Sequence, residues 1–466
     1  MNHVIRGYDG QFDISIPVVV IGAGAAGLIA ALAAHDNGAQ VLIVERDANP
    51  SGSTALSSGL IPACNTRWQV ASKVIDNVEI FSQDIKRKNK GQADERLVDR
   101  SCLVSGEVLH WLADNHRQNF DLIEGFLYPG HSVHRMHCHP KRTGKALIDS
   151  LVTAVARAGI DIMNSATVTD IFASENSEIV GIRLLRPDGS SEDIGCESLI
   201  LACNGFGGNP EMVSKYIPEM ADAMYFGHQG NLGDAVNWGL ELGAAVESMA
   251  AYQGHGSVAI PHGALITWAI MMEGGIQLNS CGRRFSNEHE GYSEQAVRVL
   301  AQKDSSAWNI YDHRLHELGL EFEEYREANK LGAVKTASTI EELAGILNIS
   351  RAGLVSTIKE CEDFSSGKQK DVLQRDFTSK PPLEAPYYGI QVTGALFHTQ
   401  GGLTVNGRAQ VLQKNGEPFP NLLASGGAAT GISGPADWGY LSGNGLLSAV
   451  TLGRIAGQTS ARLVKH

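Results

Sequence analysis

A strand, a glycine-rich turn, a helix and a second strand follow one another within residues 17–45, and this unit constrains the fold more than any other. Residues 17–22 are almost entirely apolar and end in glycine, which indicates a buried strand. Small apolar residues continue as far as His35 and indicate a helix, and a second apolar run over residues 39–45 ends at Glu45. Two strands joined by one helix predict an α/β fold built on a parallel sheet.

The turn of this unit has the spacing GxGxxG, in Gly22-Ala-Gly24-Ala-Ala-Gly27. The spacing alone is a weak indication, because a glycine-rich turn can occur without a ligand. Here the motif follows a predicted strand, opens a predicted helix and precedes Glu45, which is the context of a dinucleotide-binding fingerprint. Gly22 permits the tight turn, Gly24 lets the backbone approach a pyrophosphate, and Gly27 lets the helix pack against the strand. The helix N-terminus supplies free N–H groups for the phosphates, and Glu45 can accept hydrogen bonds from a ribose.

Beyond this unit the α/β pattern continues and then changes character. The predicted strands and helices lie at residues 143–158 (helix), 160–168, 179–185 and 198–202 (strands), 314–330 and 338–347 (helices), 389–392, 402–405 and 422–425 (strands), and 447–463 (helix). We predict an α/β protein with a doubly wound, Rossmann-like domain formed by residues 1–251 and 387–466. An inserted α+β catalytic cap domain, residues 252–386, interrupts it.

An uncharged stretch at residues 16–34 is long enough to cross a bilayer. It divides into a strand and a small-residue helix, and no basic segment precedes it, so we predict neither an integral membrane segment nor a signal peptide. The seven cysteines are an odd number without a CxxC pair, which favours a reduced, cytoplasmic location over a disulfide framework. The net charge of −13 argues against nucleic acid as a partner.

Glycine is abundant, with 52 among 466 residues, and many of these glycines lie in short clusters. Clusters of this kind occur where the backbone turns tightly or approaches a ligand closely. The clusters occupy residues 22–27, 52–59, 205–208, 401–402, 426–434 and 443–445. We expect them to surround one ligand.

Seven motifs follow one another in a characteristic order. They are the turn at 22–27, the polar small-residue segment at 51–59, ACNGFGGN at 202–209, NLGD at 231–234, LNSCGRRFSNE at 278–288, HTQGGL at 398–403 and ASGG at 424–427. Together they resemble the motifs of the flavoprotein family of fumarate reductases, succinate dehydrogenase flavoprotein subunits and 3-ketosteroid dehydrogenases. The resemblance covers nearly the whole chain. It implies FAD as the cofactor and a mobile cap over the isoalloxazine.

The resemblance, with the fingerprint, also implies which residues bind FAD. They are Gly22, Gly24, Ala25, Ala26, Gly27, Glu45, Arg46, Gly52, Ser53, Thr54, Ser57, Ser58, Gly59, Val168, Ala202, Asn204, Gly205, Asp234, Gly402, Gly426, Gly427, Gly445 and Leu446.

Departures from the family pattern change the chemistry that we expect. Succinate dehydrogenases tether the flavin through a histidine where this chain has Ser53, so the resemblance implies non-covalent FAD. The family's ribityl-binding glutamate corresponds to Gly427. The cap arginine that donates a proton in fumarate-type enzymes corresponds to Tyr292, and the arginine that binds a substrate carboxylate corresponds to Tyr440.

Two further positions of the cap lose their proton-carrying groups, since the acid and arginine of the family's proton relay correspond to Trp268 and Met271. Tyr440 and Ser442 have the spacing of the tyrosine–serine pair in 3-ketosteroid dehydrogenases of the 4,5-desaturating type. The resemblance is therefore greatest to these enzymes and to related cyclic-ketone desaturases.

From these residues we expect a dehydrogenase that introduces a C=C bond α,β to a ring ketone. Tyr292 would take the α-proton with Ser442 as relay, and Tyr440 with a backbone N–H of residues 442–445 would stabilise the enolate. The β-hydride would pass to flavin N5. We expect His398, Trp268 and Gly443 to contact the substrate, although Trp268 is equally typical of a cap core.

The expected substrate is a 3-ketosteroid or a smaller cyclohexanone such as an oxocyclohexanecarboxylate. The electrons would leave to an external acceptor, which is oxygen, a quinone or a redox protein. The main alternative is a flavin-dependent enoate or enone reductase of the fumarate or urocanate type, and another is a flavin-binding module without chemistry.

Two other clusters of polar residues are candidates for a metal site and an ion pair. Four histidines and one cysteine lie within residues 131–139, but their spacing fits no common zinc pattern, so we expect no metal and a loop near the cofactor or substrate. Arg284 and Glu288 are expected to form an ion pair within the cap.

Overall fold

The structure is a computed structural model and describes residues 3–464. Its strands are β1 Val4–Arg6, β2 Ile14–Ile21, β3 Val41–Val44, β4 Ile61–Pro62, β5 Asp121–Leu122, β6 Met136–Cys138, β7 Asp161–Met163, β8 Thr167–Ala173, β9 Ile179–Leu185, β10 Ser191–Leu201, β11 Met224–Tyr225, β12 Val246–Glu247, β13 Tyr252–Ala259, β14 Ala264–Leu265, β15 Ile276–Leu278, β16 Ser306–Asp312, β17 Lys335–Ala337, β18 Tyr387–Thr399, β19 Gly402–Leu403, β20 Gln410–Leu412 and β21 Pro418–Ala424.

Its α-helices are α1 Ala25–Asp36, α2 Gly52–Ala55, α3 Arg67–Ala71, α4 Val78–Lys88, α5 Glu95–His116, α6 Gly144–Arg157, α7 Pro210–Tyr216, α8 Asp234–Leu242, α9 Ala269–Met272, α10 Tyr292–Leu300, α11 His313–Gly319, α12 Glu323–Lys330, α13 Ile340–Leu347, α14 Arg351–Ser365 and α15 Asn444–Leu463. Within residues 3–464, no helix is long and apolar enough to cross a membrane.

The main sheet is parallel at its centre, in the order β21-β10-β2-β3-β7. Strand β10 joins two parts of the sheet, because its first half pairs antiparallel with β9 and its last residues pair parallel with β21. Strands β8 and β1 continue beyond β9. The apolar residues Val18–Ile21 of β2, Val41–Val44 of β3 and Leu199–Leu201 of β10 are buried where these strands pair. The predicted α/β class with a Rossmann-like parallel sheet is confirmed.

Helix α1 packs against α15, the last helix of the described chain. Their close approach depends on glycine, since a Cβ atom at Gly457 would lie 2.1 Å from the Ala30 carbonyl oxygen. At Gly453 it would lie 2.6 Å from the carbonyl oxygen of Ala26. The C-terminal helix therefore supports the helix that opens with the GxGxxG turn.

A second, largely antiparallel sheet belongs to the cap and has the order β14-β13-β18-β16-β15. Strands β11 and β17 also pair with β18, and helices α10–α14 pack around this sheet. The predicted return to the cofactor domain at residue 387 coincides with the start of β18, which pairs with β13 and β16. The domain boundaries themselves stay a prediction.

Two predicted elements are each divided in the structure. The helical pattern of residues 314–330 forms two helices, α11 and α12. Gly319 is the last residue of α11, and a Cβ atom there would lie 2.8 Å from the Tyr325 ring of α12. The strand pattern of residues 160–168 forms β7, which pairs with β3, and β8, which pairs with β1 and β9. In both places tertiary packing, which periodicity does not report, breaks a continuous pattern.

Candidate active site

A cleft opens at the carboxyl ends of β2, β3 and β10 and contains about 1240 Å³ of space, part of it open to solvent. Most of the predicted FAD-binding residues line it, namely Gly22, Gly24, Ala25, Ala26, Glu45, Arg46, Gly52, Ser53, Thr54, Ser57, Val168, Ala202, Asn204, Asp234, Gly426, Gly427, Gly445 and Leu446. The carboxyl edge of a parallel sheet is where such folds bind nucleotides. The structure thus brings distant parts of the chain to one cleft.

The five other predicted cofactor residues lie elsewhere. Ser58 and Gly59 line a neighbouring cavity, and Gly27, Gly205 and Gly402 lie in tight backbone contacts. A Cβ at Gly27 would lie 1.9 Å from the Gly22 carbonyl oxygen, whereas a Cβ at Gly24 would meet open space. These distances match the packing role predicted for Gly27 and the ligand-facing role predicted for Gly24.

The carboxylate of Glu45 is fixed at the cleft by backbone donors. The amide of Ala23 donates to Oε2 at 2.7 Å, and the amide of Asp47 donates to Oε1 at 2.9 Å. The neighbouring Arg46 guanidinium donates to the Gly230 carbonyl oxygen at 2.7 Å, which joins β3 to the segment before α8. Glu45 keeps further lone pairs for a ribose, as the fingerprint predicts.

Ser53, at the position of the family's tethering histidine, has its hydroxyl oxygen occupied by donors. The Asn231 side-chain amide donates to it at 2.8 Å and the His228 backbone amide at 3.2 Å. The Ser53 side chain therefore orders the wall of the cleft.

Gly427 has no room for a longer side chain. A Cβ there would lie 2.2 Å from Asn204 Oδ1 and 2.9 Å from His398 Nε2. Asn204 and His398 therefore occupy the space toward which the family's glutamate would project.

The cleft fits a dinucleotide in size and in chemistry. Two helices, α1 and α15, begin at it, and the amides of residues such as Ala25 and Gly445 lie in its wall. Helix N-termini attract phosphate and other anionic oxygen. With the Glu45 carboxylate and the open face of Gly24, the residues present are those that an FAD molecule requires.

A second cavity of about 880 Å³ adjoins the first, and Leu56, Ser57, Phe397 and Leu446 line both. The predicted residues Tyr292, Tyr440, Ser442, Gly443 and Trp268 line this second cavity. His398 lines the cofactor cleft instead, and its Nδ1 accepts a hydrogen bond from the Gln400 side chain at 2.8 Å. Burial lowers the pKa of His398 to about 4, so its ring is neutral at pH 7.

Tyr292 and Tyr440 face each other across the second cavity, with ring centroids 6.3 Å apart. Tyr292 opens α10 directly after Gly291, whose φ of +143° favours glycine. Its hydroxyl lies near the Ser442 side chain, which lowers the pKa of Tyr292. The Tyr440 hydroxyl oxygen accepts a hydrogen bond from the Gly445 amide at 3.4 Å, which places it at the wall shared with the cofactor cleft.

Burial keeps both phenols protonated at neutral pH. It raises the pKa of Tyr440 to about 12, and hydrogen bonds from the Gly445 and Gly443 amides oppose this rise. Burial also raises the pKa of Tyr292 well above its usual value, the nearby Tyr440 raises it further, and the nearby Ser442 hydroxyl lowers it. Proton transfer at Tyr292 therefore depends on its partner Ser442.

His255 is a cavity residue that the motifs did not reveal. Its ring stacks on Tyr292 with centroids 4.8 Å apart and meets the Trp268 ring edge-on at 5.7 Å. Its Nδ1 accepts the Ser257 amide at 3.2 Å, so the neutral ring carries its proton on Nε2, and burial lowers its pKa to about 3. Polar residues alternating with glycine through Gln253, His255 and Ser257 were the signal in the sequence.

The histidine-rich loop contacts the site through the backbone carbonyl oxygen of Ser442. His131 Nε2 donates to the Ser442 carbonyl oxygen at 2.9 Å, and Arg135 donates to His131 Nδ1 at 3.1 Å. Arg135 is buried and pairs with Asp76 at 3.0 Å and with Asp84 at 2.5 Å. A rigid ionic cluster thus holds the segment that carries Ser442.

Among the remaining histidines of this loop, His137 and His139 have separate partners, whereas the buried Nδ1 atom of His134 has none among the described residues. His137, for example, bonds to the Thr66 hydroxyl at 2.8 Å and donates to the Arg135 carbonyl oxygen at 2.9 Å. Within residues 3–464, no group of three or more His, Cys, Asp or Glu side chains is arranged to hold a metal ion.

The predicted ion pair between Arg284 and Glu288 is confirmed, with two hydrogen bonds of 2.8 and 2.7 Å. Arg375 also pairs with Glu288, at 3.1 Å, which the sequence did not indicate. The Glu288 carbonyl oxygen accepts a hydrogen bond from the Trp268 indole at 3.1 Å. The ionic cluster therefore supports the aromatic wall of the second cavity.

Comparisons with known proteins agree with this geometry. The family described as FAD binding domain matches residues 17–446. A probable fumarate reductase of Shewanella frigidimarina is 29% identical over 445 residues, which are 96% of this chain and 74% of the relative.

Two solved structures share the fold. A flavocytochrome c3 fumarate reductase in its open conformation matches with a TM-score of 0.81 and 28% identity, over 97% of this chain and 79% of that chain. The 3-ketosteroid-Δ4-(5α)-dehydrogenase of Rhodococcus jostii RHA1, solved with 4-androstene-3,17-dione, matches with a TM-score of 0.79 and 25% identity, over 98% and 99% of the two chains. This chain therefore belongs to the FAD binding domain family and is an FAD-dependent oxidoreductase of the kind that acts on C=C or CH–CH groups.

Proposed function

We propose that this protein is a dehydrogenase that introduces a C=C bond α,β to the ketone of a ring substrate, either a 3-ketosteroid or a smaller cyclohexanone. One observation carries the proposal: Tyr292, Ser442 and Tyr440 meet in one cavity beside the cofactor cleft. Neither lysine nor arginine is among the described residues that line this cavity.

The ketone oxygen binds to the Tyr440 hydroxyl and to a backbone amide of residues 442–445. Hydrogen bonds to this oxygen stabilise the enolate charge that develops as the α-proton leaves. Because its pKa is raised, Tyr440 stays protonated and can donate at any pH near neutrality. Its contact with the Gly445 amide orients the hydroxyl at the wall next to the cofactor.

Tyr292 accepts the α-proton. A phenol with a raised pKa is a base only if its own proton leaves, and Ser442 supplies the nearby hydroxyl that lowers this pKa. His131 holds the Ser442 carbonyl oxygen and so limits the movement of this relay. When bound, FAD supplies the hydride acceptor for the β-carbon.

The electron acceptor and the compartment belong to the same proposal. We propose oxygen, a quinone or a redox protein as the external acceptor, and a cytoplasmic location. The seven cysteines are all free thiols, which supports the location.

A second candidate is an enoate or enone reductase of the fumarate or urocanate type. The fumarate-reductase relative supports it. The second cavity opposes it, since the described residues lining this cavity include no guanidinium to bind a carboxylate or to donate a proton.

Anaerobic titration of the oxidised enzyme separates the two candidates. A panel of 3-ketosteroids and small cyclic ketones should bleach the flavin, and fumarate and urocanate should reoxidise the reduced enzyme slowly or not at all. If no cyclic ketone bleaches the flavin while an enoate reoxidises it, the second candidate is correct.

A further inference from the structure

The second cavity has an unusual charge balance. Among the described residues that line it, Glu324 is the one charged side chain, and the rest are apolar, aromatic or neutral polar groups. His255 also lines it but is neutral, because burial lowers its pKa to about 3. A substrate entering this cavity therefore meets an acidic group and no cation.

Glu324 projects from α12 without a cationic partner. Its carboxylate accepts a hydrogen bond from its own amide, and within residues 3–464 it forms no ion pair. Burial is the main cause that raises its pKa, and the charges of Glu323 and Glu327 raise it further. A partly buried carboxylate without an ion pair is stabilised when a ligand donates a hydrogen bond to it.

Tyr128 lines the same cavity as Glu324. Burial raises the pKa of Tyr128, the charge of Arg142 opposes this rise, and the charge of Glu324 adds to it. The Tyr128 ring packs against Phe126 at 4.5 Å between centroids, which fixes its position. Tyr128 and Glu324 thus form a small polar group on a largely apolar wall.

Arg142 does not line the cavity. Its side chain is more than half exposed and lies 3.9 Å from Glu321, which is itself exposed. Glu324 is not among the residues that line both cavities, and its charge is not among the main causes that shift the pKa of Tyr292 or Tyr440. Glu324 is therefore separate from the residues that we propose for the reaction.

We propose that Glu324, with Tyr128 beside it, determines specificity by binding a hydrogen-bond donor, a hydroxyl or an ammonium group, on the non-reacting part of the ring substrate. This inference rests on the proposed function for the identity of the ring ketone. It excludes substrates that carry a carboxylate at that position, because two carboxylates would face each other in a buried site. Within the proposed substrate class, neutral hydroxylated or amino-substituted ring ketones fit better than oxocyclohexanecarboxylates.

The test uses three cyclohexanones that differ only at carbon 4, which carries a hydroxyl, an ammonium or a carboxylate group. Dissociation constants are measured at pH 7 from the change in the flavin spectrum of the oxidised holoenzyme, so no turnover is required. The wild-type enzyme should bind the hydroxyl and ammonium ligands at least about tenfold more tightly than the carboxylate ligand.

Glu324→Gln should reduce this preference to within about threefold, and Glu342→Gln on the exposed face of α13 should leave it unchanged. Equal binding of the three ligands by the wild type, a preference for the carboxylate, an unchanged preference in Glu324→Gln, or no binding of any ligand would each overturn the proposal. Flavin bleaching by the ketones is scored separately, so a failure of the dehydrogenase assignment remains distinguishable from a failure of the charge preference.

Discussion

The Tyr292 and Tyr440 rings lie 6.3 Å apart between centroids, and Ser442 lines the same cavity. Tyr292 opens α10 in the cap, whereas Tyr440 and Ser442 lie just before α15 in the cofactor domain. The proton path that we propose therefore exists only while the two domains are closed on each other.

Tyr292→Phe should lower the rate of anaerobic flavin reduction by a ring ketone about a hundredfold or more, because it removes the acceptor of the α-proton. The flavin content should not change, since Tyr292 does not line the cofactor cleft. Tyr216→Phe, at a tyrosine that packs on Phe206 outside both cavities, is the matched control. A near-normal rate in Tyr292→Phe would show that another group is the base.

The rate of flavin reduction should rise with pH throughout the range in which the enzyme is stable. The active base is the phenolate form of Tyr292, and its pKa lies well above the usual value for tyrosine. The fraction of phenolate then increases tenfold for each pH unit below that pKa. Stopped-flow measurement of the reduction rate from pH 6 to 10 checks this. A plateau near pH 7 would contradict the assignment.

All of the flavin should leave the protein when the chain is unfolded in acid. Ser53 replaces the tethering histidine and uses its hydroxyl to bind Asn231 and His228. Absorbance of the supernatant and the intact mass of the polypeptide measure the release. A polypeptide mass that includes the flavin would refute non-covalent binding.

Gly427→Ala should raise the dissociation constant of FAD about tenfold, because overpacking of this kind costs roughly 1–3 kcal/mol. The added methyl group would lie 2.2 Å from Asn204 Oδ1, and Asn204 lines the cofactor cleft. Gly407→Ala, where a Cβ meets open space, is the control. Equal FAD affinity of the two variants would mean that Asn204 moves away freely.

Glu288→Ala should lower the free energy of unfolding by about 3–5 kcal/mol, because it leaves Arg375 buried without a carboxylate partner and leaves Arg284 with Asp371 alone. Glu360→Ala breaks an exposed pair with Arg283 and should cost only about 0–1 kcal/mol. Denaturant unfolding of the two variants measures both values. A cost for Glu288→Ala as small as that of the control would contradict this account.

The same carboxylate gives stability a pH dependence. The paired arginines outweigh burial and lower the pKa of Glu288 from 4.5 to about 2. A lowered folded-state pKa contributes stability that is fully present above the unfolded value and is lost as the pH falls through the folded value. The free energy of unfolding should therefore decrease between about pH 4.5 and pH 2, and less so in Glu288→Ala.

The fold of the cofactor domain was predictable because its signals are local. The turn at residues 22–27 requires glycines at fixed spacing, and Glu45 ends the next strand, so one stretch of 30 residues contains the fingerprint. The position of Gly427 was harder, since its close contacts come from Asn204 and His398, which are distant in sequence.

The second cavity was predictable only in part. Tyr292 and Tyr440 were found because each replaces an arginine in a recognisable motif, and Ser442 was found because its spacing from Tyr440 matches a tyrosine–serine pair. His255, Glu324 and Tyr128 lie on a strand, a short helix and a loop with no motif around them, and only tertiary packing brings them to the cavity. The motif around His398 was clear and led us to predict a substrate contact, but the structure places His398 at the cofactor cleft.

The pairing of β10 with β21 has a consequence for how the chain folds. The Ser198 hydroxyl donates to the Asn421 carbonyl oxygen across a sequence separation of 223, so the central sheet stays incomplete until β21 has been synthesised. Contacts of such long range slow folding and leave strand edges exposed in the meantime. During synthesis, the uncovered edge of β10 is therefore the part of this protein that most needs protection from aggregation, by a chaperone or by rapid arrival of β21.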